Sequence, residues 1–329
     1  MKKDEPTEKT LTRRNFLKIT GGSAAVAAAV AGGVTLLPSP ADAACDALPK
    51  KWDETYDVIV IGSGFAGLAA AIEAKNGGAK DVVVLEKMPV HGGNSIINGG
   101  DFCAAGTKMQ KENGVEDSPE LLLKDMLRAG AYLNHPDLAK TVAYNSKEAL
   151  EWTESYLGCK YAKLNFHGGH SVKRAHGTIN QSGSEVVNKE MAKAKEIGVK
   201  IMMRTKLVKF LSNKEGRIVG LEVRKGYKFP DDNSGKIVFM KAKRAVVLSS
   251  GGFSYDVALR QIHDPRLTDK LGSTNHLGAT GEALLAACAR GAMDVQMDWI
   301  QLGPWTSPDE KGFGYTPLFC EPLVGYGLM

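Results

Sequence analysis

Residues 56–87 read YDVIVIGSGFAGLAAAIEAKNGGAKDVVVLEK, and the whole fold follows from them. Residues 58–61 are an unbroken apolar run, the pattern of a strand covered on both faces in a parallel sheet. Gly62-Ser63-Gly64-Phe65-Ala66-Gly67 follows at once, and residues 68–75 are rich in helix formers. Residues 82–85 form a second buried strand closed by Glu86. Strand, G-x-G-x-x-G turn, helix, strand and terminal acid together predict a nucleotide-binding β-α-β unit. Gly62 permits the tight turn, Gly64 leaves room for a pyrophosphate, and Gly67 lets the helix approach the sheet. The helix N-terminus offers unpaired amides to phosphate. Glu86 is placed to accept from ribose hydroxyls.

An acid ending the second strand suits FAD and NAD alike. The next residues, KMPVHGGNSIINGG over 87–100, separate the two. A polar, glycine-dense loop here can follow the pyrophosphate and ribityl chain toward a flavin ring. An NAD enzyme more often passes straight into another helix.

Working outward, the N-terminus reads TRRNFLK and then a mildly apolar run rich in alanine and glycine. Arg13 and Arg14 ahead of such a run mark a twin-arginine export signal. Ala41-Asp42-Ala43 supplies the small-x-small cleavage pattern, so residues 1–43 are expected to be removed. A membrane anchor is the competing reading, disfavoured by so many small residues. Of 329 residues, 43% are hydrophobic and 24% charged, as in ordinary globular proteins. The net charge of +5 includes the basic leader, and no basic patch with interleaved aromatics argues for nucleic acid. The five cysteines (45, 103, 159, 288 and 320) form no C-x-x-C pair and no C-x-x-C-H haem motif.

Residues 119–133 and 135–157 carry apolar residues at helical spacing, read as core faces. Residues 201–248 read as strands with a turn at 213–216, giving a Rossmann-like, doubly wound α/β sheet with a β-rich insertion.

Five stretches in order, VIVIGSGFAGLAAAIEA, VLEKMPVHGGNS, SVKRAH (171–176), VVLSSGGF (246–253) and TNHLGATGEALLAA (274–287), resemble the flavoprotein subunits of fumarate reductase and succinate dehydrogenase. The likeness is strongest to the soluble periplasmic flavocytochrome c type, which includes urocanate reductase-like enzymes. The resemblance implies an FAD-binding domain over 44–295 and the start of a capping domain over 296–329. It implies that Ala66, Glu86, Lys87, Asn94, Ser95, Gly99 and Gly100 meet FAD, with Gly62, Gly64 and Gly67 in the phosphate turn. Val208 would lie near the adenine, and Ser250, Gly251 and Glu282 would complete the site. Asn94 stands where membrane-bound relatives carry a histidine covalently attached to FAD, which implies non-covalent FAD here. Export by the Tat translocase, which carries folded proteins, accords with a cofactor inserted in the cytoplasm.

The implied activity is reduction of the C=C bond of an unsaturated carboxylate in the periplasm, with electrons from a separate c-type cytochrome. Ser171, Arg174 and His176 fall on the implied floor of the substrate cavity. His167, His170 and His176 cluster there too, but in a glycine-broken segment that favours cavity lining or packing over a metal site. Two departures bear on the substrate. Gly303 replaces a histidine used to bind a substrate carboxylate, and Val324 replaces an arginine three residues after Glu321, the expected proton relay. A larger or less charged enoate than fumarate is the expectation. The alternatives are a flavin dehydrogenase of 3-ketosteroid type and an inactive truncated remnant. The resemblance also places the main acid arginine and the last FAD segment beyond Met329, so the chain is expected to be a fragment that folds poorly and is inactive alone.

Overall fold

The computed structural model describes residues 48–302. The elements in chain order are β1 (Glu54–Ile61), α1 (Phe65–Asn76), β2 (Val82–Leu85), α2 (Gly93–Ile97), β3 (Asp101–Cys103), α3 (Lys108–Glu112), α4 (Pro119–Ala129) and α5 (Pro136–Ser155). They continue with β4 (Tyr161–Asn165), β5 (Ala175–Thr178), α6 (Ser184–Glu196), β6 (Lys200–Met202), β7 (Thr205–Ser212), β8 (Ile218–Lys225), β9 (Lys236–Leu248), α7 (Val257–His263) and α8 (Glu282–Cys288).

The main sheet has the order β6-β2-β1-β9-β8-β7. β6, β2, β1 and β9 are parallel, while β7, β8 and β9 form an antiparallel meander. β9 is 13 residues long and belongs to both parts, pairing with β1 on one side and β8 on the other. The β-α-β reading of residues 56–87 and the α/β class therefore hold.

The period-two pleat of the central strands sorts their side chains into two cores. Val58, Val60, Val82 and Val84 face α1 and α6, packing with Leu68, Ile72, Val187 and Met191. Ile59, Ile61, Val83 and Leu85 face the other way, onto Leu207, Phe210, Leu221, Met240 and Ala283. One face of the parallel sheet is thus covered by helices and the other by the meander and α8.

The glycines of the first turn are needed for close approach. A Cβ on Gly67 would lie 2.0 Å from the Gly62 carbonyl oxygen, and one on Gly62, at φ +102°, would lie 2.4 Å from the Ser249 carbonyl oxygen. No side chain larger than hydrogen fits either place.

Pro119 and Pro136 open α4 and α5 at positions where a missing N–H costs nothing. Ser118 caps α4, accepting from Leu121 N. A second, three-stranded antiparallel sheet, β3-β5-β4, places the buried β5 between two short partners. Behind it Arg174, fully buried, bonds Asp117 through Nε and Nη2 (3.0 and 2.9 Å) and Asp125 through Nη1 (2.8 Å). No helix among the described residues is long and apolar enough to cross a membrane.

Candidate functional site

Where β1, β2 and β9 end, their loops leave a cleft. Its position beyond the carboxyl ends of parallel strands is where doubly wound sheets bind ligands. The β1–α1 turn, the loop after β2, β7, the loop after β9 and the segment leading into α8 all contribute to its lining.

Gly64 caps α1 without a side-chain bond, so the first turn of the helix keeps amides that no intrahelical carbonyl reaches. Ser95 Oγ accepts from Phe65 N at 3.1 Å and ties the glycine loop to that turn. Glu86 is buried at the end of β2. Its Oε2 accepts from Ser63 Oγ at 2.6 Å, and its Oε1 accepts from Met88 N at 2.8 Å. The Ser63 hydroxyl also accepts from Gly92 N at 3.0 Å, linking the phosphate turn to the glycine loop.

Two side-chain bridges span the cleft. Lys87 donates to Thr280 Oγ1 at 2.5 Å and pairs with Glu282, which also accepts from Thr280. Burial pushes the Glu282 carboxyl up, but the bonds from Lys87 and Thr280 outweigh it and hold the group below its ordinary range. Asn94 donates to Asn275 Oδ1 at 2.7 Å and accepts from His276 N at 2.6 Å.

Of the residues singled out in the sequence, Gly62, Gly64, Glu86, Lys87, Asn94, Ser95, Ser250, Gly251 and Glu282 line this cleft together. Ala66 and Gly67 lie behind it in the first turn of α1. Gly99 and Gly100 follow α2 at the far end of the glycine loop, and neither is in the lining. Val208 is 38% exposed, at a bulge in β7, while its neighbours Thr205 and Leu207 face the cleft. Glu321, Gly303, Val324 and the expected export leader lie outside the described residues.

His176 is fully buried, bonded to Thr107 Oγ1 at 2.8 Å and to the carbonyl oxygens of Arg174 and Phe102. His167 pairs with Asp101 on the outer side of the small sheet. Ser171 donates to Asp125 through N and Oγ. Among the described residues no group of three or more His, Cys, Asp or Glu could hold a metal ion. Thr205, Leu207, Ser249 and His276 also line the cleft; Ser249 and His276 fall inside VVLSSGGF and TNHLGATG, whereas no motif marks Thr205 or Leu207.

These residues fit FAD. The β1–α1 turn has no room for side chains, and a buried acid closes β2 beside it, the arrangement that doubly wound folds use for a dinucleotide. Comparison with known proteins agrees. Residues 57–327 match the FAD binding domain family. The chain is 43% identical over 306 residues to the acrylate reductase flavoprotein subunit of Shewanella woodyi, covering 93% of this chain and 59% of the relative. It is 34% identical to the urocanate reductase of Eggerthella lenta, over 78% of this chain and 41% of that protein. The open conformation of a flavocytochrome c3 fumarate reductase superposes with a TM-score of 0.70 at 33% identity, covering 76% of this chain and 43% of that one. The chain therefore spans between two fifths and three fifths of the length of these relatives. With the cleft and the match in agreement, the chain belongs to the FAD binding domain family, and FAD is its cofactor.

Proposed function

We propose that this chain is the FAD-holding part of a periplasmic reductase that saturates the C=C bond of an unsaturated monocarboxylate. The observation that carries the reading is the 43% identity to an acrylate reductase flavoprotein subunit over 93% of the chain. The two substitutions in the resemblance point the same way. With Gly303 and Val324 in place of a histidine and an arginine, the chain has fewer groups for the second carboxylate of fumarate.

FAD, held without a covalent bond, would supply the hydride for the β-carbon. Gly62, Gly64, Ala66 and Gly67 would hold its phosphates, Glu86 the adenosine ribose, and Val208 the adenine end. Lys87, Asn94, Ser95, Gly99, Gly100, Ser250, Gly251 and Glu282 would complete the site. Glu321 would pass a proton toward the α-carbon. The chain carries no C-x-x-C-H sequence, which supports electrons arriving from a separate c-type cytochrome. The arginine pair and small-x-small site at 41–43 support export by the Tat translocase with the cofactor in place.

The test is oxidation of reduced methyl viologen by flavoprotein isolated from its native cells, on adding acrylate, longer 2-enoates or fumarate. Turnover with monocarboxylic enoates, and slower turnover with fumarate, is expected. Flavin that no enoate reoxidises but a ketosteroid reduces would overturn the proposal in favour of a steroid dehydrogenase.

A further inference from the structure

Three segments of the cleft wall meet at one hydroxyl, that of Ser63. This serine stands in the β1–α1 turn, is buried, and belongs to the cleft lining. It donates to Glu86 Oε2, at the end of β2, at 2.6 Å, and accepts from Gly92 N, in the glycine loop, at 3.0 Å. A hydroxyl has one proton to give, so the bond to Glu86 fixes its rotor and turns a lone pair toward Gly92. The 2.6 Å length is that of a hydroxyl donating to an ionised carboxylate, one of the stronger kinds of hydrogen bond. The G-x-G-x-x-G pattern leaves its second position open, so the phosphate turn by itself does not call for this hydroxyl.

Glu86 shows what the hydroxyl does. Its carboxylate is buried, and an ionised carboxylate offers about four acceptor positions. Ser63 takes two of them on Oε2, through Oγ at 2.6 Å and through its backbone N at 3.3 Å. Met88 N takes one on Oε1 at 2.8 Å. Among the described residues, the acceptor position that can still meet a ligand is therefore the second one on Oε1. Pinning Oε2 in the turn fixes the plane of the carboxylate, and with it the direction that Oε1 presents.

We propose that Ser63 is a positioning residue for the adenosine half of FAD, holding the Glu86 carboxylate so that Oε1 accepts from a ribose hydroxyl. Its bond from Gly92 ties that acceptor to the glycine loop, so the two stretches of the wall are set by one side chain. The assignment rests on the reading of Glu86 as the ribose acceptor.

The test measures Kd by calorimetry on flavin-depleted protein, from native cells and from strains carrying substitutions, with FAD and with ADP. ADP keeps the adenosine and pyrophosphate and lacks the flavin. Ser63→Ala is expected to weaken both ligands about tenfold, the scale of one hydrogen bond to a charged group. Glu86→Gln is expected to weaken both as well. Ser63→Ala added to Glu86→Gln is then expected to cost less than about a further twofold, because the serine acts through the carboxylate. A serine that only braced the turn or the glycine loop would act independently, so losses that multiply in the double variant overturn the assignment. An ADP affinity unchanged in Ser63→Ala overturns it too. If Glu86→Gln alone leaves both affinities unchanged, the reading of Glu86 fails, and the role of Ser63 falls with it. Circular-dichroism melts of each variant set a temperature at which all are folded, and the affinities are compared there.

Discussion

At the scale of single residues, the feature with the clearest consequence is Glu190 on the inner side of α6. Its side chain is buried, Oε2 has no hydrogen-bond partner among the described residues, and burial pushes its pKa up to about 9. Between the ordinary carboxyl range and that value the folded chain holds a proton that the unfolded chain has released. Stability therefore falls as pH rises across this window, by at most about 1.4 kcal/mol per pH unit, and levels off above it. Glu190→Gln should remove the slope. Thermal melts of the variant should match the wild type in mild acid and exceed it by several degrees at mildly alkaline pH, at about 2–4 °C per kcal/mol. A Tm difference that does not depend on pH would show that Glu190 is not protonated in the fold. Nothing in the sequence marks this glutamate, since MAKAKE-type helix composition places acids on solvated faces as a rule. The Gly62 and Gly67 contacts were legible, because only a packed strand-turn-helix gives that spacing a purpose.

At the scale of elements, the small sheet depends on the Arg174 cluster. Arg174 lies just before β5 and joins it to α4 through Asp125 and to the α3–α4 loop through Asp117. Asp125 feels burial, which pushes its carboxyl up, but bonds from Ser171 and Arg174 win and hold it below the ordinary range. Its contribution to stability is therefore present at neutral pH and is lost as pH falls through the lowered value. Arg174→Met strands two buried carboxylates and should cost about 3–5 kcal/mol near neutral pH, measured by urea denaturation. The deficit should shrink in acid, as those carboxylates take up protons. A deficit that stays constant with pH would instead point to lost packing. The strands of this sheet were not legible in advance. β3, β4 and β5 are three to five residues long, and β5 reads AHGT, with neither β-branched runs nor clear alternation. What makes β5 a buried central strand is a pair of carboxylates about fifty residues earlier. β1, β2 and the meander were legible because their valine, isoleucine and leucine runs carry the signal locally.

At the scale of the whole molecule, the cleft draws on sequence from Ile61 to Ala283, so ligand and fold are coupled. Adding FAD at about a hundred times its Kd to flavin-depleted protein should stabilise by about 2.7 kcal/mol, or roughly 5–10 °C in Tm. FMN, which lacks the adenosine proposed to meet Glu86, should shift Tm much less. Equal shifts by the two flavins in circular-dichroism melts would contradict the assignment of the Glu86 end of the cleft. The bridges from Asn94 to His276 and from Lys87 to Glu282 had no signature in the sequence, because their partners stand more than 180 residues apart.

The length of β9 carries one more consequence. Met240 and Lys241 are paired with Glu54 and Thr55 on one side and with Leu221 and Gly220 on the other. A single run of backbone thus serves as the splice between two structural halves, and neither half can fray without pulling on the other. Heat or denaturant should therefore not peel the meander away while a yellow nucleotide-binding remnant survives; colour and secondary structure should vanish together.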